Sequence, residues 1–124
     1  MKSVSILFLV IAALVPGCGA SQPPPIQQMA DVQSATRSAT ELGANTNPAA
    51  QLHLKLAEEQ MAQAKNAMDK DDNDGAERLL VRANADAELA VALMREHEAK
   101  QTATKASEQS ATQRFTNEDQ GAKR

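Results

Sequence analysis

The residues from Ala50 to Met94 decide the fold, and they read AQLHLKLAEEQMAQAKNAMDKDDNDGAERLLVRANADAELAVALM. Small or apolar residues recur here at alternating spacings of four and three, the period of one face of an α-helix. The recurring residues are first Ala50, Leu54, Ala57, Met61, Ala64 and Met68, and then Ala76, Leu80, Ala83, Ala87, Ala90 and Met94. The acidic stretch 69–75 separates these two stripes. The pattern predicts an antiparallel αα-hairpin with helices over about 48–70 and 74–100.

The residues around the two stripes indicate how these helices begin and how wide their buried faces are. Asn47 can cap the second helix while Pro48 occupies its first turn. Asn73 or Asp74 is the predicted cap of the third helix. Further apolar residues widen the two faces, namely Leu52 and Leu56 on one and Leu79, Leu89, Val91 and Leu93 on the other.

A first helix is predicted over about 26–44. Its apolar side recurs every three or four residues, at Ile26, Met29, Val32, Ala35 or Thr36, Ala39 and Leu42. Gly43 and Asn45 weaken its end. We therefore expect a small three-helix arrangement over residues 26–100.

The composition favours the same fold class. Hydrophobic residues make up 42% of the chain but aromatic residues only 2%, and the two phenylalanines, Phe8 and Phe115, lie outside the predicted helices. The core must be built from Ala, Leu, Val and Met. Because alanine is the best helix former and fills little volume, we expect an all-α domain whose helices approach closely. The net charge is −3 with mixed signs, so no basic stripe indicates a nucleic-acid partner.

The amino-terminal residues 1–17 have the pattern of an export signal. Lys2 precedes an apolar run over 4–15, too short to span a bilayer but typical of a signal peptide. The stretch Leu14-Val15-Pro16-Gly17-Cys18 resembles a bacterial lipobox, although Pro16 departs from its commonest form. That resemblance implies that Cys18 carries a lipid. Cleavage by an ordinary signal peptidase is the alternative, since Gly17 and its neighbours are small.

The single cysteine agrees with lipidation, because one Cys cannot form an internal disulfide and an odd thiol requires an explanation. Two or three acyl chains would anchor the protein almost permanently. Gly19 follows Cys18, and in enterobacteria that resemblance implies sorting to the outer membrane, facing the periplasm. Residues 18–25 then form a proline-rich tether, which favours an extended spacer.

The carboxy-terminal residues 101–124 lose the apolar pattern and contain no Leu, Val or Ile. We predict a polar, partly disordered tail: a solvated extension of the third helix to about residue 110, followed by disorder over the last ten residues.

The sequence predicts no catalytic residue, no metal site and no cofactor. An EF-hand loop needs acidic or amide ligands at its first, third and fifth positions, glycine at the sixth and glutamate at the twelfth. If Gly75 is the sixth residue, Lys70 is the first and Val81 the twelfth; if Asp69 is the first, Asp74 is the sixth and Leu80 the twelfth. Neither alignment of the acidic stretch 69–75 fits. His53 and His97 have no companion at a spacing that suits zinc, and a hairpin turning near residue 73 places His53 opposite positions near 92. No serine lies in a glycine-bearing elbow.

Residues 47–100 resemble the DUF4398 family of bacterial envelope lipoproteins. The match lies in Lys55-Leu56 and the alanines that follow, then the acidic turn, then Ala83-Asn-Ala-Asp-Ala-Glu-Leu-Ala. The resemblance implies a helical hairpin in the cell envelope, and the family has no assigned activity.

The sequence therefore favours a non-enzymatic, lipid-anchored module that binds another envelope protein or itself. The alternative is a structural lipoprotein that links the outer membrane to peptidoglycan, in the manner of the murein lipoprotein. That protein has an uninterrupted heptad repeat, which Pro48 and Gly75 break here.

Overall fold

The computed structural model describes residues 22–122, with side chains described as far as Asp119. Its helices are α1 (Ile26–Glu41), α2 (Pro48–Met68) and α3 (Asn73–Ala122), and a short 3₁₀ turn, Ala44–Thr46, connects α1 to α2. This part of the chain contains no β-strand, so the all-α prediction is confirmed. The predicted signal peptide, Cys18 and the last two residues lie outside the described residues.

The three helices form an up-down-up bundle. Ala50 and Leu54 of α2 pack with Ala90 and Met94 of α3, and Ala64 near the end of α2 packs near the start of α3, with Ala76 and Leu80. The two helices are therefore antiparallel, as predicted. Helix α1 runs parallel to α3, with its N-terminal half against the second of these clusters and its C-terminal half against the first.

The core consists largely of alanine. Every member of the stripe predicted on α3 is buried, and on α2 only Met61 and Met68 are partly exposed. Seven of the alanines in the two stripes are completely buried: Ala50, Ala57, Ala64, Ala76, Ala83, Ala87 and Ala90. A methyl group at each position lets helix backbones approach closely, and it also means that each residue buries little apolar surface.

Of the apolar residues predicted to widen the two faces, Val91 is buried as expected, and the others are more exposed. Leu52 is 56% exposed, and Leu89 and Ile26 are exposed as well, whereas Leu56, Leu79 and Leu93 are half-buried. The predicted stripes were therefore too wide, because a third helix covers only one side of the hairpin.

Helix α1 is shorter than predicted and ends at Glu41. Gly43 has a φ of 84°, in the left-handed region that glycine adopts without strain. Its N–H donates to the carbonyl of Thr40, which closes the helix end. The chain then enters the 3₁₀ turn rather than continuing the helix to Ala44.

Asn47 caps α2 as predicted. Its side-chain oxygen accepts hydrogen bonds from the N–H groups of Ala49 (3.0 Å) and Ala50 (3.2 Å), and Pro48 is the first helical residue. Because the N–H groups of the first turn have no partner within the helix, these bonds stabilise its start.

The predicted cap of α3 was wrong by one or two residues. Asp72 performs this role, since its carboxylate accepts a hydrogen bond from the N–H of Gly75 at 2.9 Å. The turn after Met68 passes through Asp71, whose φ of 61° lies in the left-handed region. Asp and Asn tolerate this conformation better than other residues with side chains. Asn73, one of the predicted caps, is instead the first residue of the helix.

Helix α3 continues to Ala122, beyond both the predicted end of its packed part near Lys100 and the solvated extension predicted to about residue 110. The expected disorder of the last ten residues is corrected as far as residue 122, because 115–122 are helical; the last two residues lie outside the described part. Two physical reasons account for the difference. Four Ala and four Gln, both good helix formers, lie among residues 101–122, and the packed part of α3 provides the nucleus that an isolated helix would have to form at a cost.

None of the helices in this part of the chain combines the length and the apolar character needed to cross a membrane.

Candidate functional site

A polar cluster lies on the side of the hairpin that α1 does not cover. The ring Nδ1 of His53 is 2.8 Å from Oδ1 of Asp86, and the side-chain amide of Gln60 donates to the other oxygen of the same carboxylate, also at 2.8 Å. The side chains of His53 and Asp86 are largely buried. The cluster therefore connects α2 to α3 by two polar contacts beside an apolar seam.

His53 lies close to the level predicted for it, since its neighbour Leu54 packs in the same cluster as Ala90. Its ring nevertheless contacts Asp86, about one helical turn nearer the start of α3, and the sequence did not predict this partner. The contact with Asp86 occupies one ring nitrogen of His53. The other histidine, His97, is not part of this cluster: its Nε2 lies 2.8 Å from the side-chain amide of Gln101, on the exposed side of α3.

The tether is held at the end of the bundle where α2 turns into α3. The side-chain amide of Asn73, which is buried, donates to the backbone carbonyl of Gln22 at 2.6 Å. With its amide oriented to pair donor with acceptor, Gln22 also donates to Asp74 (2.9 Å) and Glu77 (3.1 Å). Gln28 in α1 donates to Glu77 at 3.2 Å. The described part of the tether, residues 22–25, therefore begins at this end of the bundle.

An open groove of about 630 Å³ lies between α1 and α3. Its walls are formed mainly by polar and small side chains, including Asp31, Ser34 and Ser38 of α1 and Asn84, Glu88 and Arg95 of α3. It has both acidic and basic groups but no enclosed apolar floor. The groove therefore lacks the concave apolar character typical of small-molecule sites.

The outer surface of α3 carries a charged pair near the end of the bundle. The Nζ of Lys100 lies 2.5 Å from Oε1 of Glu96, which is one turn earlier in the helix. The hydrogen bond that Lys100 donates is the main reason that the pKa of Glu96 lies below its usual value, and the positive charge of Lys100 is the second reason. Glu96 is therefore ionised at neutral pH, and both side chains are exposed.

The structure separates the acidic residues of the turn by role. Asp72 caps α3 and Asp71 occupies a left-handed position, while Asp69 follows Met68 as the C-cap of α2. Among the described residues, no group of three or more His, Cys, Asp or Glu side chains is arranged to hold a metal ion. The lipidation residue predicted from the sequence, Cys18, lies outside the described part.

Sequence reasoning missed Asp86, Gln60 and Asn73 as the polar residues that join one element to another. A signal for two of them existed. His53 and Gln60 are seven residues apart and flank the stripe of α2 on the same side, so a polar acceptor at the matching edge of α3 was to be expected. The contact of Asn73 with Gln22 spans most of the domain in sequence, and no local pattern indicates it.

A family model described as "Domain of unknown function (DUF4398)" matches residues 27–115. The match is longer than the sequence resemblance over 47–100, because it takes in α1 and most of the exposed part of α3. No curated protein and no solved structure matches the chain.

Proposed function

The chain belongs to the DUF4398 family, and we propose that it is a non-enzymatic, lipid-anchored module of the cell envelope that holds a helical surface away from a membrane. The proposed anchor is a lipid on Cys18, and the proposed place is the outer membrane, on its periplasmic side. The proposed partner is another envelope protein or a second copy of the chain.

The observation that carries this proposal is the position of the tether relative to the long helix. Gln22 is bonded to Asn73 at the turn end of the bundle, which is where α3 begins. Met94 is the last buried residue of α3, and every described side chain from Arg95 to Asp119 is exposed. At 1.5 Å per residue, the helix after Met94 extends about 40 Å beyond the bundle. An anchor attached through the tether would leave this helix pointing away from the membrane.

The chemistry of the described surface supports a binding role rather than catalysis. His53 is bonded to Asp86 between two helices, and the groove between α1 and α3 is open and polar. Neither arrangement presents an activated nucleophile beside an oxyanion site, which acyl or phosphoryl transfer would need.

The anchor is tested by replacing its thiol. We expect Cys18→Ser to abolish incorporation of radiolabelled palmitate and to release the protein from the membrane fraction, while Ser21→Ala, a nearby small change, leaves both unaffected. Palmitate incorporation into Cys18→Ser would exclude the lipid anchor proposed here.

The exposed end of α3 favours one alternative, a structural link from the outer membrane to peptidoglycan. A polar helix about 40 Å long that points away from the anchor could reach the cell wall. We would then expect the carboxy-terminal peptide to remain attached to purified peptidoglycan after boiling in detergent, and a muramidase to release it. Crosslinking of positions on the exposed helix to a protein, with no peptide bound to the wall, would favour the leading proposal.

A further inference from the structure

We propose that Met29, Met61 and Met68 form a reversible oxidation site, at which a peroxide converts the three thioethers to sulfoxides and loosens the end of the bundle that holds the tether. This inference goes beyond the proposed function, because it concerns the stability of the bundle and does not depend on the lipid anchor.

The methionines are unevenly distributed between the two core clusters. Three partly exposed methionines pack against the cluster at the turn end, Met29 from α1 and Met61 and Met68 from α2. The partly exposed residues packed against the other cluster are Leu42 and Leu93. Within the described part of the chain, thioethers that solvent can reach therefore gather at the turn end.

Met94 is the fourth methionine whose side chain is described, and it provides an internal contrast. It belongs to the cluster at the other end of the bundle and is only 7% exposed. A peroxide has to reach the sulfur atom before it can react, so burial protects a thioether from oxidation. The same oxidant should therefore modify the three methionines at the turn end and spare Met94.

The alanine-rich core makes the modified side chains important for stability. A buried alanine contributes a single methyl group, so the longer side chains at the edge of the cluster supply a large share of the apolar surface that it buries. A sulfoxide is polar and chiral, and burying its oxygen without a hydrogen-bond donor costs free energy. Oxidation therefore favours states in which these side chains leave the cluster for water.

The same cluster supports the contact that holds the tether. Asn73, whose side chain donates to the carbonyl of Gln22, lies one helical turn before Ala76, a member of the cluster. Loosening the packing around Ala76 should therefore weaken the position of Asn73 and its hold on the tether.

The chemistry is a two-electron oxygen transfer that can be reversed. The sulfur lone pair attacks one peroxide oxygen, an S–O bond forms as the O–O bond breaks, and the remaining oxygen leaves as water with both protons. Sulfur is oxidised and the peroxide is reduced. A thiol-dependent methionine sulfoxide reductase returns the two electrons, releases the oxygen as water and is itself oxidised to a disulfide.

The first test maps the oxidation sites in the purified full chain after treatment with dilute hydrogen peroxide. Peptide mass spectrometry should show Met29, Met61 and Met68 oxidised at least about tenfold faster than Met94, because Met94 is buried. Oxidation of Met94 at the same rate as the other three would overturn the proposal.

The second test measures the consequence for stability. Peroxide should lower the melting temperature of the parent by several degrees, and sulfoxide reductases acting on both epimers should restore it. The variant Met29→Leu/Met61→Leu/Met68→Leu keeps similar apolar volume at each position, so the same treatment should leave its melting temperature unchanged. Met94→Leu is the matched control and should remain as sensitive as the parent. An unchanged melting temperature in the oxidised parent, an equal loss in the triple variant or no recovery with the reductases would each contradict the proposal.

A third measurement locates the effect and needs no variant. Hydrogen exchange of the oxidised parent should become faster over residues 26–32, 61–68 and 73–83, at the turn end, than over 50–57 and 87–94. Equal acceleration at both ends of the bundle would show that the three methionines do not act on the turn end.

Discussion

Ala83 shows what the packing demands of a single residue. It is completely buried in the cluster that joins α1, α2 and the start of α3, where close helix approach leaves room for one methyl group. Replacing it with leucine inserts three carbon atoms between helices.

We expect Ala83→Leu to lower the free energy of unfolding by about 1–3 kcal/mol, the usual cost of overpacking. Thermal unfolding followed by circular dichroism measures the effect, which for a domain of this size amounts to about 4–8 °C per kcal/mol. The control is Glu59→Leu, at an exposed position of α2, which should change stability by no more than about 0.5 kcal/mol. Equal losses from the two variants would contradict the placement of Ala83 between the helices.

Gly75 and Asp72 act as a pair. A Cβ atom at position 75 would overlap the carboxylate of Asp72, the group that caps α3. We therefore expect Gly75→Ala to be neutral or destabilising in the parent chain, because loss of the cap offsets the better helix propensity of alanine.

The same substitution should behave differently once the cap is removed. In an Asp72→Ala chain, which itself should lose about 0.5–2 kcal/mol, Gly75→Ala should stabilise α3 by up to about 1 kcal/mol. A double-mutant cycle from denaturant unfolding measures the difference between the two backgrounds. A Gly75→Ala effect of the same sign and size in both would show that Asp72 does not restrict position 75.

At the level of elements, the turn between α2 and α3 should depend on backbone shape more than on negative charge. Asn caps helices as well as Asp does and tolerates the left-handed conformation of Asp71. We therefore expect Asp71→Asn combined with Asp72→Asn to change stability by about 0.5 kcal/mol or less. Millimolar calcium should not move the melting temperature of either form, and a rise of several degrees in the parent alone would indicate a metal site.

The elements also show which features the sequence could predict. The two stripes were correct because burial imposes a spacing of four and three on core positions such as Ala83 and Ala87 in α3 and Leu54 in α2. The end of α3 was not, because loss of apolar periodicity marks the end of burial at Met94 rather than the end of the helix. Whether the helix continues past Met94 depends on the helix propensity of the residues that follow and on the packed turns that already form its nucleus. The cap was missed because Asp72, Asn73 and Asp74 are all competent, and the left-handed residue Asp71 decides among them.

For the polar contacts too, the sequence predicted what local patterns specify and missed what the tertiary arrangement decides. His53 and Gln60 indicated a polar acceptor on α3, but its identity as Asp86 depends on how the two helices pack. Gln22 and Asn73 meet only because α1 returns the amino-terminal end of the domain to the turn. Such contacts are set by the tertiary arrangement, which local patterns do not specify.

At the level of the whole molecule, the exposed part of α3 should be dispensable for the stability of the bundle. Every described side chain from Gln101 to Asp119 is exposed. Deleting 101–124 should therefore reduce the helical signal in proportion to the residues lost and leave the melting temperature of the remainder within a few degrees.

Deletion of α1 provides the contrast. It would remove Val32 and Ala39 and uncover the parts of both core clusters that they contact, so we expect loss of a cooperative transition. If the deletion of 101–124 were as damaging as the deletion of α1, the long helix would have to pack against the bundle.

The alanine-lined core has a thermodynamic consequence. Because each buried methyl group removes little apolar surface from water, unfolding should expose less such surface per residue than in a domain with leucine and phenylalanine inside. The heat capacity change on unfolding should then fall below the usual value of about 12–15 cal/mol/K per residue, and the denaturant slope should be correspondingly small. A smaller heat capacity change flattens the dependence of stability on temperature. The bundle should therefore melt over a broad range and resist cold denaturation, as calorimetry can measure.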